Sequence, residues 1–492
     1  MVYQPTIGLE VHIELKTKTK MFCSCLNNPN ESHPNVNVCP ICLGHPGTLP
    51  VINQEAVRKV IKTGLALNCQ IPEYSRFDRK NYFYPDLPKG YQISQEYMPL
   101  CRGGFLRIDN KKIRIKNIHL EEDTGKLIHP AGTDYSLVDF NRAGVPLMEL
   151  ATEPDLSSAK EARGFAGELH LIMHYLDISD ADMEKGEMRV EVNISLSKKE
   201  GQLGTKVEIK NLNSFRAVER ATEYEIQRQT ELLESGKKII QETRGWDDIK
   251  DKTVSQREKE FAQDYRYFPE PDLPPLYFTK KEIDEIRAEI PELPQNRRER
   301  LKREYELEEK SIKVFVYNKD LGEYFEKAMS ELRNWVKEIE LKRRIKRDEF
   351  FKLAKFCSNY LITDLQGLLK GASVIGEDFL ITPENFAEFI TLIYEEKISS
   401  KIAKQVLSEM FSTGKDPSHI IEEKGLTQMT DAAEIKKIIK EVISNNQKAV
   451  EDFKSGKANA FQYLIGQIMA KTRGKASPQL VSKILKETLT KI

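Results

Sequence analysis

The chain opens in strict alternation. From Ile7 to Leu15 the odd positions Ile7, Leu9, Val11, Ile13 and Leu15 are apolar, while Glu10, His12 and Glu14 fall on even positions. A β-strand sends successive side chains to opposite faces, so this spacing predicts one core-facing row and one polar row. A solvated polar face is the ordinary meaning of such a row, and Glu14, at the far end of the strand, fits it. Two further segments repeat the arrangement. In Met188–Leu196 the even positions are apolar, and Arg189, Glu191, Asn193 and Ser195 share the other face. After a turn at Gly201–Gly204, Val207 and Ile209 alternate with Lys206, Glu208 and Lys210, which predicts a hairpin with one charged face. Carboxylates, a histidine, an asparagine and lysines on one side of a sheet suit a divalent cation and phosphate oxygens.

Ile113 and Ile115 are out of phase with Ile118 and Leu120, which predicts a bulge or turn near Asn117. The acids Glu121, Glu122 and Asp123 follow, and the pattern leaves open which of Glu121 and Glu122 faces the site. Glu149 lies among apolar residues, and a carboxylate in such company is paired or metal-bound because isolated burial is costly. Oxygen ligands with one imidazole favour magnesium or manganese over zinc.

The pattern changes along the chain. Up to Pro294, Gly, Pro, Asn and short alternating runs predict a mixed α/β domain with many loops. Beyond it, long charged stretches with Leu, Ile and Phe at helical spacing run to about Phe411, and turn residues cluster again near Gly414–Pro417. The expected fold is α+β: a mixed-sheet domain over 1–294, an all-α domain over 295–415 and a small helical tail over 416–492. The basic run Arg297–Arg303 is expected to be a solvated helical face.

Composition narrows the function classes. The 492 residues carry 76 basic and 76 acidic side chains, so any nucleic-acid contact has to come from a local patch. There is no apolar run of membrane-spanning length and no signal core, which makes the cytoplasm the expected compartment. Seven cysteines are too few for a disulfide framework in a chain of this size. Four cluster as Cys23, Cys25, Cys39 and Cys42, the arrangement of a closed tetrathiolate zinc knuckle. Cys69, Cys101 and Cys357 stand alone and are expected to be packing residues. Neither a phosphate-binding Gly-x-x-x-x-Gly-Lys-Ser/Thr loop, a dinucleotide fingerprint nor a hydrolase elbow is present, so nucleotide chemistry would need the sheet and its metal.

Longer motifs identify more. Ile7-Gly-Leu-Glu-Val-His12, Val38-Cys-Pro-Ile-Cys-Leu-Gly44, Phe77 to Gln95, Glu208 to Phe215, Asp264-Tyr-Arg-Tyr-Phe-Pro-Glu-Pro-Asp-Leu273 and Gly466 to Pro478 closely resemble the GatB family. Its members are B subunits of the aspartyl/glutamyl-tRNA amidotransferase GatCAB. No synthetase-like insertion interrupts the helical region, unlike the related GatE proteins. The resemblance implies a cradle-shaped catalytic domain with a zinc knuckle, a helical domain and a YqeY-like tail that engages tRNA.

It also implies an ATP-dependent carbon–nitrogen ligase with glutamine as amido donor, active in a complex with a GatA glutaminase subunit and GatC. ATP would phosphorylate the side-chain carboxylate of Glu-tRNA(Gln) or Asp-tRNA(Asn), and ammonia from GatA would displace the phosphate. The cofactors implied are ATP, magnesium and structural zinc. By the resemblance, Glu10, His12, Glu122, Glu149 and Glu191 form the catalytic magnesium cluster, with Glu191 where the family usually has Asp. Lys210, Asn211 and Ser214 would contact nucleotide phosphates, and Arg79, Lys80, Tyr82 and Lys89 would line the ammonia entry. In the tail, Lys454, Lys457, Lys471, Arg473, Lys475, Lys483 and Lys486 would hold tRNA phosphates. The competing reading is a non-catalytic, zinc-stabilised RNA-binding scaffold.

Overall fold

A computed structural model describes residues 3–199, 202–258, 264–340, 347–426, 431–455, 457–472 and 475–490. The chain divides into two compact units, 1–294 and 295–492. The first is built on a mixed sheet. Its long strands are β1 (Gln4–Glu14), β2 (Lys111–Glu122), β3 (Pro146–Thr152), β4 (Met188–Ser197), β5 (Val207–Leu212), β6 (Glu242–Asp247) and β7 (Lys252–Glu258), in the spatial order β7-β6-β5-β4-β1-β3-β2. Only the β5–β6 pair is parallel among these, and short strands at 101–102 and 105–108 pair with β2.

The predicted alternation decides what each face does. Ile7, Leu9, Val11 and Ile13 of β1, and Met188, Val190, Val192 and Ile194 of β4, are buried in one hydrophobic core. Helices α1 (Gln54–Ala66), α2 (Ala159–Tyr175) and α3 (Phe215–Glu234) supply its other side through Val60, Phe165, Leu169 and Val218. Each helix starts on a side-chain cap, Asn53, Ser158 and Ser214 respectively, whose oxygen accepts from first-turn amides. The central strands β4, β1, β3 and β2 therefore present their polar residues on the opposite face.

Strand β2 contains the expected irregularity. Ala151 pairs with Asn117 but Thr152 pairs with Ile115, so Lys116 is an extra residue in the strand. Ile113, Ile115, Ile118 and Leu120 all reach the core as a result. Cys69, Cys101 and Cys357 are buried, and burial holds their thiols up.

The second unit is helical. Arg297 corrects the expectation of a solvated basic face: it is buried, and its guanidinium donates to Glu326 Oε1 at 3.0 Å, while Arg300 lies 2.8 Å from Glu326 Oε2. Helix Pro417–Lys424 packs on the helices before it, with Lys424 donating to Glu409 at 2.8 Å and Ser418 to Glu388. Helices Ala432–Asn445, Gln447–Lys454, Ala458–Lys471 and Pro478–Leu489 share a separate core of Ile435, Ile439, Val442, Leu464, Ile468, Val481 and Leu485.

Glu14 is a second correction. It is buried beside Asp123, which Arg189 and Arg142 flank at 2.9 and 3.7 Å. Burial and the Asp123 charge push the Glu14 carboxyl up from 4.5 to about 8 against the two arginines. The folded state thus holds this proton more tightly than the unfolded chain, and stability falls as pH rises from 4.5 through about 8. Glu14→Gln should therefore gain on the wild type between pH 6 and pH 9, by about 2–4 °C in Tm for about 1 kcal/mol. Thermal melts across that range check it, and a Tm difference independent of pH would refute it.

Candidate active site and cysteine knuckle

Strand register assembles the polar face. His12 sits opposite Arg189 on β4 and Glu149 on β3, and Glu149 in turn sits opposite His119 on β2. Four strands thus place Arg189, His12, Glu149 and His119 in one line across the sheet. Next to it, Glu10 is paired with Glu191, and Glu121 with Leu147. His12 Nε2 lies 3.2 Å and His119 Nε2 3.3 Å from the same atom, Glu149 Oε2. His119 Nε2 is also 3.5 Å from Glu121 Oε2, and His12 Nε2 is 4.0 Å from both Glu10 Oε1 and Glu121 Oε1. Two sets of converging donors meet at Glu149: Glu10, His12 and Glu149 on one side, His119, Glu121 and Glu149 on the other.

The electrostatics follow from this crowding. Burial opposes a charge on His12, yet the hydrogen bond and charge of Glu149, with Glu121 and Glu191, lift its imidazole to about 9. His119 rises to about 10 in the same way, through Glu149 and Glu121. Burial would raise Glu149, but the two imidazoles hold it well below the usual carboxylate range. Glu10 has no such excess of cations; burial, then Glu149 and Glu191, push it up to about 7. Protons on the two histidines hold together a set of carboxylates that otherwise repel. A bound divalent cation would take over that task if the imidazoles were neutral.

Glu122, expected in this cluster, is turned away from it. Past the bulge, Ile118 and Leu120 point to the core, so Glu122 follows their parity while His119 and Glu121 share the polar face. Glu122 instead accepts from Lys89 Nζ at 2.7 Å and from the Ile93 amide at 3.0 Å. His119 is the residue sequence reasoning missed, and Glu121 is the one of the two open alternatives that faces the site. The signal was the parity of Ile118 and Leu120 on the core side, which puts the odd positions His119 and Glu121 on the opposite face.

The cluster opens into a cavity of about 1080 Å³, lined also by Lys80, Tyr82, Glu191, Lys206, Lys210 and Asn211. Lys210 donates to Glu191 Oε1 at 2.8 Å and is 3.9 Å from Glu208. Asn211 takes a positive φ of 63° at the cavity wall. Glu191 Oε2 and Asn193 Oδ1 are buried without a hydrogen-bond partner, two acceptors that a cation or ligand hydroxyl would satisfy. Ser214 has a structural task, its hydroxyl accepting from the Ala217 amide at the α3 cap. The four ammonia-entry candidates separate. Lys80 and Tyr82 line the cavity; Arg79 is held by Glu270 at 2.7 and 2.9 Å; Lys89 lines a smaller cavity of about 90 Å³ with Glu122, Cys23 and Cys42.

Cys23, Cys25, Cys39 and Cys42 bring their sulfurs within 4.8 Å of one another, the donor set and closeness a tetrahedral metal requires. Among them the Cys42 thiol is drawn down to about 5, first by its hydrogen bond with Cys23 and also by Cys39 and Lys20. In the last helices, Lys457 pairs with Asp452 at 2.8 Å and Lys471 with Glu441. Lys454, Lys483 and Lys486 are exposed, Lys475 is half-buried, and Arg473 lies outside the described residues. Lys436 and Lys440, one helical turn apart, line a groove of about 930 Å³ with Lys454.

Comparison with known proteins agrees with this architecture. Residues 5–284 match the family described as the GatB/GatE catalytic domain, and residues 346–489 match the GatB domain. The chain is 47% identical over 498 aligned residues to the B subunit of the aspartyl/glutamyl-tRNA(Asn/Gln) amidotransferase of Thermotoga maritima, covering 99% of both chains. Proteins of the same name from Caldicellulosiruptor bescii and Persephonella marina are each 49% identical, over 100% of both chains and over 99% of this chain and 100% of the relative, respectively. The family match spans nearly all of the sheet unit and the similarity continues through the last helices: the chain belongs to the GatB family.

Proposed function

We propose that this chain is the B subunit of a tRNA-dependent amidotransferase, converting Glu-tRNA(Gln), Asp-tRNA(Asn) or both into the amides with ATP and ammonia. The observation that carries this reading is the junction, on one sheet face, of a carboxylate–imidazole cluster with a cavity wide enough for a nucleotide and an aminoacyl end. Its partners are a GatA glutaminase subunit and GatC, and its compartment is the cytoplasm. The three-part organisation, with the last helices as a YqeY-like tRNA-binding tail, belongs to the same reading.

The chemistry sets the requirements. A carboxylate is a poor acyl donor because oxide would have to leave; phosphorylation by ATP supplies phosphate as leaving group, and ammonia then takes its place on the carbonyl carbon. Glu10, His12, His119, Glu121 and Glu149 would hold magnesium, which supplies charge neutralisation at the transferring phosphoryl group. Glu122, turned to Lys89, is not in that set. Lys80 and Lys210 add cationic charge at the cavity wall, and Lys80 faces Glu121 and Glu149. The Tyr265 ring lies 5.0 Å from the Lys80 Nζ and packs edge-on against Tyr82, the ring centroids 5.8 Å apart. Ammonia has to arrive through a shielded path, since solvent would protonate it and remove its lone pair.

The cysteine knuckle would hold zinc structurally, with no coordination position left for substrate. In the tail, Lys436 and Lys440 extend the basic patch from Lys454 along one groove. Phosphate contacts there would position tRNA without reading its sequence.

In the assembled enzyme supplied with ammonium chloride in place of glutamine, His119→Ala and Glu121→Gln should each lower kcat by on the order of 10²-fold or more, as should Glu10→Gln and His12→Ala. Filter binding of tRNA should be unchanged. Full amide formation by these variants would overturn the catalytic reading in favour of an RNA-binding scaffold. Charge reversal of Lys436, Lys440 and Lys454 should raise the KM for tRNA with kcat preserved, and flatten the salt dependence of binding by about one unit of slope per lost phosphate contact. An unchanged salt titration would remove the groove from the tRNA footprint. Elemental analysis of the purified protein should find one zinc per chain; its absence would overturn the zinc knuckle.

A further inference from the structure

Three lysines alternate just beyond the first strand, and only one goes inside. Lys18 is exposed, and Lys16 lies at the surface beside Asp177 and Asp180. Lys20 is 0% exposed and ranks among the largest fully buried side chains of the protein. Its backbone is pinned on both sides: its amide donates to Cys25 O at 3.0 Å, and its carbonyl accepts from Asn53 Nδ2 at 3.2 Å. Its stem runs under Gly144, where an added Cβ would lie 3.4 Å from Cys42 Cβ and 3.5 Å from Lys20 Cδ.

The ammonium ends in an unusual place. It donates to Phe140 O at 3.2 Å and points at Cys42 Sγ, 3.9 Å away. Among the described residues no carboxylate pairs with it. A buried ammonium without a counter-charge is strongly unfavourable, and neutral thiols do not supply one. Thiolates do. Four thiolates around one zinc ion leave an excess of two negative charges, which the single buried cation beneath Cys42 reduces to one.

We propose that Lys20 is the charge-compensating partner of the knuckle, its ammonium hydrogen-bonding the Cys42 thiolate from below so that zinc is held more tightly and the sulfur is less reactive. This rests on the zinc reading above. Neighbours that hydrogen-bond a metal's ligands commonly change metal affinity by on the order of 10–100-fold. The dependence runs both ways: the thiolates are what permit a lysine to be buried here, so metal removal should loosen the segments that enclose it.

The test follows zinc itself, in the full-length protein assembled with its partner subunits. Transfer of zinc to a chromogenic chelator, and alkylation of the knuckle thiols, should be on the order of tenfold faster or more in Lys20→Met. Lys20→Gln, which keeps an N–H donor without the charge, should behave likewise, and Lys20→Arg should restore slow release. Release within about twofold of wild type from zinc-loaded Met or Gln variants would overturn the role of Lys20 while leaving the knuckle intact. Should neither variant fold, hydrogen exchange on the wild type decides: chelation should remove protection from amides of residues 19–26 and 140–145. Protection that survives zinc removal would overturn the proposal. A wild-type protein without stoichiometric zinc would overturn the knuckle and this role together.

Discussion

The structure depends on the sharing of Glu149 Oε2 by two imidazoles. A carboxylate with two cationic neighbours stays ionised in a buried position, and in doing so it makes tolerable the acids that flank it on either side. Remove that pairing and Glu10, Glu121 and Glu191 face one another with Lys80 and Lys210 as the nearby cations. The sheet then carries a repulsion that those two lysines and a proton on Glu10 relieve only in part. Folding of the catalytic face and readiness for a divalent cation are therefore the same electrostatic problem. Protons on the two histidines solve it here, and a bound divalent cation would solve it in their place.

Register is what makes this sharing possible. No two neighbours in sequence form the cluster; His12, Glu149 and His119 come from three strands and meet because antiparallel pairing sets them opposite each other. The hydrophobic rows of the same strands fix that pairing, since a slip by one residue would turn Ile7, Leu9, Val11 and Ile13 out of the core. Core packing thus positions the chemistry directly, with no loop between them. The sequence has no glycine-rich phosphate loop, and side chains line the cavity onto which the cluster opens.

Much of this is legible in the sequence because alternation is a strong local signal. The polar rows of β1 and β4, the hairpin with β5, the bulge near Asn117 and the four clustered cysteines can all be read from spacing alone. What cannot be read is anything decided by packing across the sheet. Its motif assigns Glu122 to the cluster, and the parity after Lys116 sends it to Lys89 instead. Glu14 and Arg297 look like surface charges in a linear pattern; only the fold reveals Arg189 and Glu326 waiting for them. Ser214 reads equally well as a phosphate ligand or as a helix cap, since both uses need one hydroxyl beside free backbone amides. Lys20 is a further case, for nothing in a Lys-x-Lys-x-Lys run distinguishes the member that goes inside.

The bulge at Lys116 separates two properties of a strand that are usually inseparable. Which face a side chain occupies is a matter of counting, and with Lys116 excised the count from Ile113 to Glu121 would still bring every residue to its present side. Where that face is aimed is a matter of curvature, because an extra residue on one strand bends it and tightens its twist. The final stretch of β2, carrying His119 and Glu121, is therefore steered by a residue that touches neither of them. A shortened strand would keep the same chemistry and point it at a different spot.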